Sequence, residues 1–267
     1  MREAAFITVS VILLLGNLAA IGASGRERAK RAVCLANLRQ LTSAWIAYAN
    51  ANDDKIVCGD SGEYTGMYTN PSLPFNKSHY REKPWVQKDW LSAMTRRQKE
   101  QAIIDGALYP YTGSVGLYRC LSVDRRVLQA YGTISPPVRI YSIVDSMNCK
   151  GWDQMGVEMI KRRMEIKDAR SQAVFLDDGG TAPSALGGWT VYTNQWCWWD
   201  PPPLCHDDGT TFSFADGRAD YRKWQDPRSV EFGNRVPPVA FSPTQEGNVD
   251  LIWASIAVWG QEANKLR

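Results

Sequence analysis

Residues 4–23 are predominantly apolar, interrupted only by Thr8, Ser10, Gly16, Asn17 and Gly22. As a helix this run is long enough for a hydrocarbon layer roughly 30 Å thick. After a basic stretch from Arg26 to Arg31, apolar residues recur every three or four positions through Val33, Cys34, Leu35, Leu38, Leu41, Ala44, Trp45 and Tyr48. That spacing predicts that the helix leaves the apolar layer and continues to about Asn50. Further on, the pattern predicts a long loop-rich stretch over 52–90, a short helix over 93–105 and separated strands over 116–120, 138–144, 173–177 and 189–192. Residues 211–215 then alternate polar and apolar, Asp216-Gly217 follows, and 218–222 lead away as a second strand. This is a hairpin signature with a tight turn at its tip. The expected class is α+β: a long N-terminal helix, then an antiparallel β-sheet domain with long loops. The apolar segment 251–260 is too short for a second span and is expected to pack against the domain.

The chain's 267 residues divide, on this reading, into a transmembrane and amphipathic helix over 1–50 and one globular β-rich domain over 51–267. A formal charge of +3 and the absence of a basic stripe interleaved with aromatics argue against a nucleic-acid partner. The six cysteines, Cys34, Cys58, Cys120, Cys149, Cys197 and Cys205, are consistent with a disulfide framework or with buried thiols. Cys197 and Cys205 bracket one short loop and make a candidate local bridge, although six cysteines allow 15 connectivities. No Cys-x-x-Cys points to zinc or redox chemistry.

His206, Asp207, Asp208 and Asp216 carry side chains suited to acid–base or metal chemistry. His79 and His206 are the only histidines, which excludes a multi-histidine zinc site. No Gly-x-Ser-x-Gly elbow or phosphate loop is present, so no catalytic residues and no enzymatic activity are expected. Clustered loop carboxylates at Asp207, Asp208 and Asp216 make calcium the one cofactor considered, since hard cations take oxygen ligands. The aromatic segment 189–199 and the three prolines after it suit either a contact loop or a cover for the sheet. The contact reading supports a rival function: a secreted or membrane-anchored polysaccharide-binding or hydrolytic domain, stacking sugars on Trp198 and using His206 with Asp216 as acid–base residues.

His206 stands nine residues before Asp216-Gly217, and Phe214-Ala215 precedes that pair while Lys223-Trp224 follows it. With this hairpin, the chain resembles the prepilin-type processing-associated H-X9-DG family of pseudopilin-like and type IV pilin-like surface proteins. The segments 31–41, 106–111, 118–120, 139–142 and 173–178 resemble the family as well, so the likeness covers nearly the whole chain. It implies a structural subunit anchored by its helix in the cell envelope, with the globular domain outside the cytoplasm. Such subunits assemble into a type IV pilus-like filament or a type II secretion pseudopilus, with like subunits, other pseudopilins and the secretion machinery as partners. His206, Asp216 and Gly217 would then be structural. Cys34 would pair with Cys120 to tie helix to sheet, leaving Cys58 for Cys149.

Small residues Gly16, Ala19, Ala20, Gly22 and Ala23 would let neighbouring helices approach closely. Family precursors carry a short basic leader ending in Gly before Phe-Thr-Leu-Ile-Glu, and this chain has no such cleavage motif. Ungapped alignment back from Cys34 sets Glu3 at the family's fifth-residue glutamate, where a neighbouring subunit's amino terminus would pair with it. A cleaved signal peptide is the competing reading, with Arg2 ahead of the apolar core and small residues at Ala20, Gly22 and Ala23. The basic residues from Arg26 to Arg31 would alone favour an inside location, and the family likeness outweighs them.

Overall fold

A computed structural model describes residues 2–61, 82–89, 94–122, 137–149, 159–179, 188–235 and 239–266; the side chains of residues 2–24 lie outside the description. Helix α1 runs unbroken over Arg2–Ala51, close to the end that its apolar period predicts. In its second half Cys34, Leu38, Leu41, Trp45 and Ala49 are buried, one face recurring every three or four residues. The chain leaves the helix through Asp53 and Asp54, both left-handed at φ 54° and 64°, a conformation that aspartate tolerates better than most residues. The globular core therefore begins inside α1, and residue 51 is no structural boundary.

The expected helix over 93–105 is α2, Arg96–Ile104, opened by a capping box between Thr95 and Gln98 that satisfies two otherwise orphan N–H groups. Helix α3, Tyr109–Thr112, closes on left-handed Gly113. The strand expected over 116–120 is instead a 3-10 turn, Val115–Tyr118. There the Leu117 N–H returns to the Ser114 carbonyl while Tyr118 gives its carbonyl to Ile140 N–H. Tyr118 itself stacks on Trp85 at 6.0 Å, so tertiary packing overrides the local β preference.

Strands β1 (Tyr141–Val144), β2 (Ala173–Asp177), β3 (Gly188–Trp189), β4 (Gly209–Phe214) and β5 (Ala219–Lys223) make one five-stranded sheet in the order β3-β1-β2-β4-β5. The pairs β1–β2, β2–β4 and β4–β5 are antiparallel, but β3 joins β1 in parallel, which corrects the purely antiparallel expectation. The hairpin tip is a three-residue loop. Gly217 N–H reaches the Phe214 carbonyl, Phe214 N–H reaches that of Arg218, and only Gly217 is left-handed, at φ 91°. This is a type I turn with a bulge rather than a two-residue primed turn.

Every β4 residue is buried, so both faces of the sheet are covered. Helix α1 lies against β2, β4 and β5. The apolar segment near the C-terminus forms α5, Val249–Trp259, after a short α4, Pro227–Gly233. Asn248 caps α5 by accepting from the Asp250 and Leu251 N–H groups. Its Trp253 meets Phe212 edge-on at 5.0 Å, and Gln172 donates to the Ala257 and Val258 carbonyls. Among the described residues no helix is long and apolar enough to cross a membrane; the segment 4–23 expected to do so lies where side chains are not described.

The Trp-rich segment covers the sheet. Trp189 and Trp198 are buried, with the Trp189 indole donating to the Pro201 carbonyl at 3.2 Å and that of Trp224 to Pro203 at 2.8 Å. Proline lacks an N–H but keeps its carbonyl, so the stiff tri-proline serves as an acceptor rail for buried indoles. Trp198, at 0% exposure, offers no face for a sugar to stack on, which removes that part of the rival glycan-binding reading.

Candidate functional site

Four segments distant in sequence meet where α1 crosses the end of β2. Cys34 comes from the buried face of α1, Cys120 follows the 3-10 turn, Asp177 ends β2, and His206 precedes β4. Their donor atoms all lie within 4.8 Å of one another, and all four side chains are buried. The two sulfurs are 3.0 Å apart; His206 Nε2 is 3.7 Å from Cys120 Sγ and 3.3 Å from Asp177 Oδ2.

Each ligand-bearing group is held by neighbours. Glu27 stands seven residues before Cys34, two helical turns along one face, and its Oε1 lies 2.7 Å from His206 Nδ1. Ser122 Oγ also donates to Glu27, at 2.9 Å, while the Ser122 N–H reaches Cys120 Sγ at 3.2 Å. Asn37 Nδ2 donates to the Arg119 carbonyl and to Tyr141 Oη at 3.1 and 3.4 Å, fastening α1 to the residue before Cys120 and to β1. The His206 backbone is fixed by its N–H to the Gly209 carbonyl and by Tyr221 Oη, which donates to the His206 carbonyl at 2.9 Å. Cys205 Sγ and Thr210 Oγ1 donate to the Asp177 carbonyl.

The electrostatics follow from this crowding. Burial would lower the His206 pKa, but the facing Asp177, Cys34 and Glu27 side chains outweigh it and raise it to about 10. The Cys120 contact, opposed by burial, brings the Cys34 thiol down to about 6. The same contact together with burial pushes Cys120 far up. Burial opposes ionisation of Glu27, yet the His206 and Ser122 hydrogen bonds hold its carboxyl below the usual range. With Nδ1 committed to Glu27, His206 Nε2 faces the sulfurs and Asp177. The buried Asp177 Oδ2 has no hydrogen bond of good geometry and faces His206 Nε2 at 3.3 Å. Two sulfurs, an imidazole and a carboxylate make a donor set that a borderline-soft divalent ion can share, while the two thiols alone can be oxidised to a disulfide.

The other expected site residues fall elsewhere. Asp207 and Asp208 are exposed before β4, whereas Asp216 is exposed at the opposite tip of the hairpin, where its Oδ1 accepts the Arg218 N–H at 3.0 Å. Six strand residues separate them, about 20 Å at the usual rise, so Asp207, Asp208 and Asp216 do not form a joint calcium site, and His206 and Asp216 are no acid–base pair. The nine-residue spacing measures β4: the His206 turn stands at one end and the Asp216-Gly217 turn at the other. His206 bonds α1 and β2 rather than bridging its own hairpin.

All six cysteines are free thiols. Cys34 and Cys120 are adjacent, although their separation exceeds the ~2.05 Å of an S–S bond. Cys58 and Cys149 are both buried, and a Cβ on Gly59 would stand 2.5 Å from Cys149 Sγ. Cys197 is half-buried, with its thiol directed at Gln195. Glu3, Gly16, Ala19, Ala20, Gly22 and Ala23 lie outside the described side chains.

Glu27 and Asp177 escape sequence reasoning as site residues, though signals exist for both. Glu27 shares the Cys34 helix face, and Cys34, Cys120, Asp177 and His206 each sit in a segment that carries the family resemblance. No family model, curated protein or solved structure matches this chain.

Proposed function

We propose that this chain is a pilin-like structural subunit of the cell envelope. It anchors through the apolar first half of α1 and assembles, through the same helix, into a filament or secretion pseudopilus with like subunits. The observation that supports this reading is the continuity of α1. One rod carries the apolar segment 4–23 and then, from Cys34 to Ala49, the innermost layer of the globular core. Residues 2–24 as helix extend about 35 Å, matching a hydrocarbon layer of roughly 30 Å, and no loop intervenes between anchor and domain. Force or displacement applied to the anchor is therefore delivered to the sheet without a hinge, as a filament subunit requires. The role is assembly rather than turnover, and the globular surface is what such an assembly presents to cargo or to other subunits.

Close helix packing within a membrane depends on small residues. Replacing Gly16→Leu and Gly22→Leu together is expected to abolish assemblies recovered by cross-linking in the native membrane, while the melting temperature of the globular domain stays unchanged. Assemblies retained in that double variant would contradict the proposal.

A further inference from the structure

We propose that Cys34, Cys120, Asp177 and His206 bind one divalent ion of the zinc type, closing a four-ligand structural site that locks α1 to the sheet. Three independent observations carry this. The donor atoms converge from four separate segments within 4.8 Å of one another, and all four residues are buried. Asp177 Oδ2 is buried among them with no hydrogen bond of good geometry, facing His206 Nε2 at 3.3 Å. The remote nitrogen of His206 is taken by Glu27 at 2.7 Å, the carboxylate–histidine arrangement that orients metal-binding imidazoles and raises their basicity.

The spacing suits a tetrahedral ion. Metal–sulfur distances of about 2.3 Å and metal–nitrogen or metal–oxygen distances of about 2.0–2.1 Å imply edges of about 3.6 Å from sulfur to nitrogen and 3.3 Å from nitrogen to oxygen. The Cys120–His206 and His206–Asp177 separations are 3.7 and 3.3 Å. The Cys34–Cys120 separation, 3.0 Å, widens towards about 3.7 Å on binding, and all pairs start within 4.8 Å. The Ser122 N–H is directed at Cys120 Sγ at 3.2 Å, the contact that a metal-bound sulfur accepts. Thiolate and imidazole together select a borderline-soft ion over magnesium or calcium, which prefer oxygen. Four protein ligands leave no open position, so the site is structural rather than hydrolytic. A disulfide between Cys34 and Cys120 would use the two sulfurs alone and engage neither Asp177 nor His206.

The test uses the full chain in detergent, stripped with a chelator under a thiol-free reductant and titrated with Co2+. The expected result is saturation at one ion per chain, with the intense visible bands of tetrahedral Co2+ and a near-ultraviolet sulfur-to-cobalt charge-transfer band, both bleached by an equivalent of Zn2+. Cys120→Ser should lose about half of the charge-transfer intensity, since one of two sulfur ligands is gone. Glu27→Gln, at a half-buried position that folding tolerates more readily, should keep the tetrahedral spectrum and bind Zn2+ about 10–100-fold more weakly. Folded, reduced wild-type protein that gives no charge-transfer band overturns the proposal. So does a Cys34–Cys120 disulfide in peptides from the chain as isolated from its native membrane.

Discussion

A chain beginning at residue 51 is expected not to fold, whereas one beginning at Gly25 is expected to melt cooperatively. The first cut removes Cys34, Leu38, Leu41, Trp45 and Ala49, all at 4% exposure or less. Truncating one large buried side chain typically costs about 2–5 kcal/mol, and a whole domain holds only about 5–15 kcal/mol of net stability. Losing Leu38, Leu41 and Trp45 together exceeds that margin, and it also strips the cover from β2, β4 and β5. The second cut keeps every described core residue of α1 together with Glu27. Near-ultraviolet circular dichroism and thermal melts of the two fragments make the comparison. A cooperative transition in the 51–267 fragment would show that the helix is an appendage, against the rigid coupling on which the assembly role depends.

Asp89→Ala is expected to destabilise the protein by about 3–5 kcal/mol, because it removes the two-pronged carboxylate partner of a buried guanidinium. Arg139 and Asp89 pair in two-pronged fashion, Nε to Oδ2 at 2.8 Å and Nη2 to Oδ1 at 3.0 Å, with side-chain exposures of 3% and 4%. The remaining Arg139 nitrogen donates to the Tyr141 carbonyl at 2.8 Å, and the guanidinium lies 5.3 Å from the Trp85 ring centre. This pair fixes the segment around Trp85, which no regular element holds, against the start of β1. Removing both charges with Asp89→Ala and Arg139→Met should recover much of the loss, since a buried pair replaced by apolar groups is often close to neutral. Urea unfolding of the two single variants and the double variant measures the coupling. A loss below about 1 kcal/mol in Asp89→Ala, the value of an exposed pair, would mean that the pair is solvated.

Much of the architecture was legible because local signals and tertiary packing agree. The 3.6-residue recurrence from Cys34 to Ala49 is both a helix signal and the face that the core needs, so α1 ends within a residue of its expected end. Strand β2 matches its expected span because a run of apolar residues bounded by polar ones fits a strand buried on both faces. Disagreement came where distant residues decide. The 115–118 turn is set by Tyr118 packing on Trp85, and the strand expected over 189–192 is the two-residue β3, Gly188–Trp189, whose parallel pairing with β1 no local pattern announces.

The candidate site was legible only in fragments. His206 stood out for its spacing to Asp216-Gly217, yet that spacing records the length of β4 and not a chemical pair. Cys34 and Cys120 were paired through the family likeness, and the structure sets their sulfurs side by side. Asp177 looked like the last residue of an apolar strand, and nothing in its neighbourhood along the chain announces that its carboxylate turns inward towards two sulfurs and an imidazole. Glu27 hid within a basic stretch whose charge pointed to a membrane-flanking role. A site assembled from four segments leaves no spacing to read, which is why the donor set emerges only in three dimensions.

The central claim, that the apolar half of α1 stays with the mature chain as its anchor and assembly element, is tested most directly by the N-terminal residue and intact mass of the protein isolated from its native membrane. The account predicts a mature chain that retains residues 4–23, beginning near Glu3 or upstream of it, with an N-methylated first residue of the pilin type. A chain beginning immediately after Ala23 would contradict it, leaving a secreted domain with no anchor helix to assemble through.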